Sequence, residues 1–104
     1  MLINKVLGFL GISAKAGKIV SGTDIVLENI EKNKIKLVIV ATDAAERTIN
    51  NFKYSCEKKN VPIYIYGNIE ENSKAIGKEN RAVIGIKDEK LAEAIVNKIS
   101  AEVK

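Results

Sequence analysis

Few side chains in this sequence can support acid–base, nucleophilic or metal chemistry. The 104 residues include no histidine and a single cysteine, Cys56, so neither a Ser–His nor a Cys–His nucleophile can form within the chain. Zinc sites need His or Cys, and calcium sites need clustered carboxylates. Glu70 and Glu71 are adjacent, but neighbouring residues of a helix point about 100° apart and do not converge on one ion. We therefore expect no enzyme, no metal and no cofactor.

The segment from Gly11 to Lys18 has a superficial likeness to a phosphate-binding loop. Five residues separate Gly11 from Gly17, whereas the nucleotide-binding motif has four. Ile19 also stands where a Ser or Thr would hold magnesium, so nucleotide hydrolysis is disfavoured. Cys56 falls on an apolar helical stripe and is interpreted as a small core residue.

Three short polar segments are better suited to binding than to catalysis. Ser21–Asp24 is a helix-start signal, since small polar side chains accept the unpaired N–H groups of a first turn. Asp43 follows an apolar run and, with Glu46 three residues later, has the spacing of a capping box. Residues 78–81, Lys-Glu-Asn-Arg, form a polar loop. Each segment also has a purely structural interpretation as a helix cap or as solvated charge.

The elements that must position these segments follow from hydrophobic periodicity. Leu37–Ala41 is a short, mostly β-branched apolar run, which predicts a central strand covered on both faces. Other strands are predicted at Lys18–Val20, Val61–Tyr66 and Ala82–Ile86. Helices are predicted from an apolar stripe at Leu2, Ile3, Val6, Leu7 and Leu10, from Ser21 to about Lys32, from Ala44 to Asn60, from Asn68 to near Gly77, and after Asp88. This alternation indicates a sheet with helices on both faces.

Composition restricts the class of protein further. Apolar residues make up 46% of the chain, which disfavours disorder, and residues 1–104 are expected to form a single domain. No apolar run approaches the roughly 18 residues of a membrane span, and the apolar start is interpreted as a first helix rather than a signal peptide. A single cysteine suggests a reducing, cytoplasmic setting. The net charge of +4 is compatible with a polyanionic partner but is weak evidence for one.

Taken together, several stretches resemble the ribosomal protein L7Ae/L30e superfamily, and within it the small bacterial YlxQ-like branch. They are Leu7–Gly22, Asp24–Ile30, Lys36–Ala44, Cys56–Tyr64 and Ala75–Ile86. The similarity covers nearly the whole chain. The fold it implies is α/β, a three-layer α/β/α sandwich with a mixed four-stranded sheet.

The resemblance also implies a function. Members of this superfamily bind RNA, typically at kink-turns, where a helical stem bends sharply at tandem sheared G·A pairs. We therefore expect a non-enzymatic, cytoplasmic and monomeric RNA-binding protein, associated with the ribosome or bound to kink-turn-like RNA, with no DNA or membrane partner. The alternative is a protein-interaction or regulatory module that kept the fold and lost kink-turn binding.

In the family, RNA lies against the start of the second helix and the loop before the last strand. A helix N-terminus suits phosphate through its free N–H groups and dipole, and a glycine there lets backbone approach RNA closely. Carried over to this sequence, the resemblance implies RNA-binding roles for Lys18, Gly22, Thr23, Asp24, Ile25, Glu28, Asp43, Lys78, Asn80 and Arg81.

The sequence departs from the family pattern at some of these positions. Asp24 stands where Asn, Lys or Glu is common, and Ile25 occupies a position that is often polar in archaeal members. Glu28 stands where a lysine usually follows on the same helix face, and residues 72–73 are Asn-Ser instead of Leu-Gly. Separately, lysines alternate at positions 32, 34 and 36, which is interpreted either as a solvated loop or as an RNA edge.

Overall fold

Helices and strands alternate in the computed structural model, which describes residues 4–102. The helices are α1 (Lys5–Lys15), α2 (Thr23–Glu31), α3 (Glu46–Lys59), α4 (Ile69–Ala75) and α5 (Glu89–Glu102), and the strands are β1 (Ile19–Ser21), β2 (Leu37–Val40), β3 (Ile63–Ile65) and β4 (Val83–Ile86). Two predicted members of the first apolar stripe, Leu2 and Ile3, lie outside the described residues. Within those residues, no helix is both long and apolar enough to cross a membrane.

The predicted central strand lies in the interior of the sheet. The four strands are ordered β1-β4-β2-β3, so that β2 pairs with β4 on one side and with β3 on the other. The β2–β4 and β1–β4 pairs are antiparallel and the β2–β3 pair is parallel, which makes the sheet mixed, as expected. Every residue of β2 is at most 1% exposed.

The side chains of β2 alternate between two separate hydrophobic clusters, one on each face of the sheet. Leu37 and Ile39 belong to a cluster that contains residues of α1 and α5. Val38 and Val40 belong to a second cluster that contains residues of α2 and α3. Since successive residues of a strand point to opposite faces, a run of four apolar residues supplies both clusters. The three-layer α/β/α sandwich is thereby confirmed.

Most of the predicted helix ends are confirmed. Asn33 and Asn60 adopt left-handed conformations with φ of 60° just after α2 and α3, where Asn tolerates this conformation better than most residues. The side-chain oxygen of Asn68 accepts a hydrogen bond from the N–H of Glu71 at 2.7 Å, and that of Asp88 accepts one from the N–H of Leu91 at 2.9 Å. These are the expected caps of α4 and α5.

The predicted capping box at Asp43 and Glu46 is wrong. Helix α3 begins at Glu46, its N-cap is Ala45, and no side chain caps it. A turn closed by the N–H of Ala44 and the carbonyl of Ala41, at 3.1 Å, separates β2 from the helix. Because that turn carries Asp43 away from α3, its Oδ1 instead accepts a hydrogen bond from the N–H of Ile69, the first residue of α4, at 2.9 Å.

The buried position of β2 leads to a stability prediction. Truncation of Ile39 to Ala removes apolar contacts from a site that is 1% exposed, and such changes cost about 2–5 kcal/mol of unfolding free energy. Ile25→Ala is the matched control, since Ile25 is 44% exposed and its truncation should cost less than about 0.5 kcal/mol. Urea unfolding of both variants measures the difference, and equal losses would contradict the assignment of β2 as the core strand.

Candidate nucleic-acid interface

Four connections of the chain meet at one end of the sheet. Because β1, β2 and β3 run in one direction and β4 in the other, the segments that leave β1, β2 and β3 and the segment that enters β4 share that end. Loops at the carboxyl ends of strands in α/β proteins are common ligand-binding positions. Most of the RNA-binding residues proposed from sequence lie on these connections.

Gly22 opens α2 without a side-chain cap. Its φ is 104° and its ψ is 148°, and no side chain accepts a hydrogen bond from the first turn. Its own N–H donates to the carbonyl of Val83 at 2.9 Å, which ties the turn to β4. The sequence therefore predicted the position of the helix start correctly, but its capping by Ser21, Thr23 or Asp24 is wrong. The N–H groups of this first turn remain available to an external anion.

Arg81 is held against the end of β1. Its Nε donates to Ser21 Oγ at 3.1 Å, and one terminal nitrogen donates to the carbonyl of Glu79 at 3.0 Å. A guanidinium has five N–H donors, so three remain for other acceptors. The two contacts fix the orientation of a planar group that suits bidentate phosphate recognition or stacking on a base.

Ser73 fixes the backbone of the same loop from beneath. Its Oγ accepts a hydrogen bond from the N–H of Arg81 at 2.7 Å and lies 3.3 Å from the carbonyl of Arg81, to which it can donate. Its backbone carbonyl accepts from the N–H of Lys78 at 2.9 Å. Ser73 is 1% exposed, so its own side of these bonds is shielded from water. The loop is therefore anchored at both ends by one residue of α4.

Lys78, Asn80 and Asp43 line one shallow cavity of about 640 Å³ between the loop and the start of α4. Asn80 is left-handed, with φ of 57°, and all three side chains are exposed. Lys78 and Arg81 also line a neighbouring cavity of about 340 Å³, together with Ile25. Lys78 therefore lines both cavities. The two cavities bring together residues that follow β1, residues that follow β2 and residues that precede β4.

The remaining candidates on α2 are exposed but differ in surroundings. Thr23 and Asp24 lie in the first turn of the helix. Glu28 lies one turn further along and pairs with Lys32, whose Nζ is 3.2 Å from its carboxylate. Such an exposed pair is worth little to stability.

Lys18 is the one candidate that the structure separates from the others. Lys18 directly precedes β1 and Gly22 directly follows β1, so the two residues lie at opposite ends of that strand. At a rise of about 3.3 Å per residue, four residues correspond to roughly 13 Å along the strand.

Sequence reasoning missed the residues that hold the loops in place. Thr42 Oγ1 donates to the carbonyl of Gly67 at 2.7 Å, and Asn72 Nδ2 donates to the carbonyl of Tyr66 at 2.9 Å. Asn72 is 1% exposed, and its Oδ1 is buried without a hydrogen-bond partner among the described residues. A Cβ added at Gly67 would collide with the Asn72 side chain. The available signal was the polar pair Asn72-Ser73 in the middle of a short predicted helix.

The single thiol takes no part in this site. Cys56 is fully buried in the cluster between the sheet and α3, and burial raises the pKa of its thiol to about 11. Since the thiolate is the reactive form, this cysteine is protonated at neutral pH and serves as a core residue.

Comparison with known proteins places the chain in a family. A sequence profile described as the ribosomal protein L7Ae/L30e/S12e/Gadd45 family matches residues 4–96. The chain belongs to that family. The RNA-binding protein YlxQ of Bacillus subtilis is 32% identical over 91 residues, which cover 85% of this chain and 88% of that protein. The YlxQ protein of Enterococcus faecium is 33% identical over 84 residues, which cover 81% of each.

Solved structures show the same architecture. A protein of unknown function from Bacillus halodurans superposes with a TM-score of 0.91 at 30% identity, with coverage of 94% of this chain and 99% of that one. The 15.5kD RNA-binding protein of Giardia lamblia superposes with a TM-score of 0.80 at 23% identity, with coverage of 99% and 94%. The latter likeness establishes the shared fold.

The role of Ser73 can be tested directly. Ser73→Ala leaves the buried N–H of Arg81 without its acceptor, which should cost about 1–3 kcal/mol of unfolding free energy and accelerate hydrogen exchange at the Arg81 amide. Ser100→Ala, on the exposed side of α5, is the control and should change neither quantity. Unchanged exchange at Arg81 in the Ser73 variant would show that the loop is held in some other way.

Proposed function

We propose that this protein is a non-enzymatic RNA-binding protein of the cytoplasm that recognises kink-turn-like RNA as a monomer and works in association with the ribosome. Membership of the L7Ae/L30e/S12e/Gadd45 family and the similarity to YlxQ RNA-binding proteins support RNA as the partner. The observation that carries the proposal is the fixed guanidinium of Arg81 beside the uncapped start of α2.

The role proposed for each residue follows from the chemistry of its donor or acceptor groups. The free N–H groups after Gly22 and the cations Lys78 and Arg81 bind phosphate oxygens, which positions the RNA without reading its sequence. Asp24 and Asp43 are acceptors that suit the amino group of guanine, the group presented at sheared G·A pairs. One oxygen of Asp43 is already bonded to Ile69 N–H, so its carboxylate is pre-oriented for that contact.

Pre-orientation is the physical advantage of this site. Ordering a flexible loop on binding costs free energy that subtracts from affinity. Here the loop of Lys78 and Arg81 is already fixed by Ser73 and Ser21, and the turn at Gly22 is bonded to β4. A bent RNA can therefore dock on a surface that requires little rearrangement.

A second function is favoured by the two acids on the exposed side of α2. Asp24 and Glu28 place negative charge close to the proposed phosphate path, which would suit a protein-interaction or regulatory module that kept the fold and lost kink-turn binding. Gel-shift titration with a kink-turn RNA and an unkinked duplex of equal length separates the two. Preference for the kinked RNA supports the first function, and equal weak binding supports the second.

The contribution of the loop should be visible in the salt dependence of binding. Each phosphate held by a cation releases counterions, so the logarithm of affinity falls linearly with the logarithm of salt concentration. Replacing Lys78 or Arg81 by Ala should reduce that slope by about one for each phosphate that the side chain holds. Lys53→Ala, on the exposed side of α3, is the control. If neither loop variant changes the slope, the loop is not part of the interface.

The two acids provide the most discriminating test. Asp24→Asn combined with Glu28→Lys removes two repulsions and adds one attraction near the start of α2. Binding of kink-turn RNA should tighten by about tenfold at low salt, and the gain should shrink as salt screens it. Folding should change little, since Asp24 caps no helix, the loss of its charge removes only a helix-dipole interaction of about 0.3–1 kcal/mol, and the Glu28–Lys32 pair is exposed.

A matched control separates local from global charge effects. Glu57→Lys with Glu93→Gln alters net charge by the same amount on α3 and α5, where both residues are exposed. Equal gains in both variants would reflect net charge alone. Tighter binding by the unmodified protein would instead mean that the acids accept hydrogen bonds from bases.

A further inference from the structure

Three exposed lysines lie side by side at the opposite end of the sheet. The N–H of Lys87 donates to the carbonyl of Lys18 at 2.7 Å, and the N–H of Lys36 donates to the carbonyl of Ile86 at 2.7 Å. The main chains of Lys18, Lys87 and Lys36 are therefore neighbours across β1, β4 and β2, in that order. With adjacent strands about 4.8 Å apart, the three residues form a lysine row roughly 10 Å long.

The charges of the lysine row are not neutralised by side chains of the described part of the chain. Within residues 4–102, no carboxylate oxygen lies within 4.0 Å of the Nζ atoms of these lysines. The ion pair formed among those residues, Lys32–Glu28, lies outside the row. Asp88, the acid next to Lys87, uses Oδ1 to accept from Leu91 N–H. Glu31 and Glu89 are exposed at the adjoining ends of α2 and α5, where Lys34 adds a further positive charge.

This arrangement is unfavourable in the isolated protein. Like charges on neighbouring strands repel and destabilise a sheet, and nothing in the packing requires lysine here, because all three side chains are exposed. A polyanion bound across the row would convert the repulsion into attraction. The row thus has the character of a binding surface rather than of a structural contact.

The chemistry of the row fits nucleic acid better than protein. Lysine is depleted from the cores of protein–protein interfaces, whereas interfaces with nucleic acid are strongly positive. Lysine also binds phosphate as a flexible point charge without demanding a fixed geometry. A row of lysines without a rigid donor suits the backbone of a regular duplex, which needs no base-specific contact.

We propose that Lys18, Lys36 and Lys87 form a second RNA-binding surface, which contacts the phosphate backbone of a duplex segment distinct from the RNA held by the loops around Gly22 and Arg81. The proposal rests on the proposed RNA-binding function and extends it, since the protein then contacts RNA at both ends of its sheet. It also gives Lys18 a role on this surface.

The test uses a plain RNA duplex of about 20 base pairs, without a kink, and the full-length protein. Lys36→Gln with Lys87→Gln should weaken duplex binding by about tenfold at low salt and reduce the salt slope by about two, if each lysine holds one phosphate. The control is Lys53→Gln with Lys98→Gln, which removes the same charge from the outer helices. It should weaken binding less than the row variant does, since Lys53 and Lys98 lie within helices α3 and α5 and not beside the strand ends. Thermal unfolding of the row variant should occur at the same temperature or higher.

Each remaining outcome counts against the proposal. Equal weakening in both double variants would show a net-charge effect without a localised surface. Unchanged duplex binding in the row variant would exclude RNA as the occupant and direct attention to an acidic protein. If the row variant unfolds at a lower temperature, its binding of the duplex is measured again well below that temperature. Recovery of binding there would show that unfolding caused the loss, and it would overturn the proposal.

A third double variant separates this proposal from the proposed function. Lys78→Ala with Arg81→Ala should lose preference for kink-turn RNA while retaining binding of the plain duplex through the row. If the unmodified protein shows no preference for kinked RNA, the proposed function fails. The comparison of duplex binding between the row variant and its control still shows whether the second RNA-binding surface exists.

Discussion

The burial of one four-residue strand organises the whole molecule. β2 has hydrogen-bonded partners on both sides and helices over both faces, so its side chains belong to both hydrophobic clusters at once. Burial of apolar area is the dominant favourable term in folding, and β2, like its neighbour β4, contributes residues to both clusters. The direction of β2 then fixes which connections share an end of the sheet, and thus where a ligand can meet several loops together.

In the candidate interface, buried or half-buried side chains hold the loops in place, while hydrogen-bond donors on the outer side have no protein acceptor among the described residues. Ser73 and Ser21 take up the inner hydrogen-bonding groups of the Arg81 loop, and Gly22 leaves the first turn of α2 uncapped. The supporting groups are short side chains with little conformational freedom, whereas the outward groups are charged or main-chain donors. The guanidinium of Arg81 and the main-chain donors of α2 are thereby held in place, whereas the side chain of Lys78 is exposed and can adjust its position.

The predictability of each part reflects the range of the interactions that form it. Strand β2, the left-handed Asn33 and Asn60, and the caps Asn68 and Asp88 depend on neighbours within a few residues, and the sequence predicts them. Asp43 bonds Ile69, and Arg81 bonds Ser21 sixty residues away. No periodicity or spacing signals such pairs, and so the helix cap at Asp43 was predicted wrongly. The side-by-side placement of the strand-end lysines likewise depends on register between distant strands.

The corner between β3 and α4 has a consequence for how the sequence can vary. Gly67 presses against Asn72, which is buried and holds the carbonyl of Tyr66. A side chain at position 67 would collide with the Asn72 amide and would also have to adopt a φ of 69°, a conformation that residues with a Cβ rarely take. A smaller residue at position 72 relieves only the collision, and it leaves the carbonyl of Tyr66 without its Asn72 partner. Position 67 should therefore keep glycine whichever residue occupies position 72. Asn72 is constrained separately by its hydrogen bond to the carbonyl of Tyr66, so the two neighbouring positions restrict the sequence for different physical reasons.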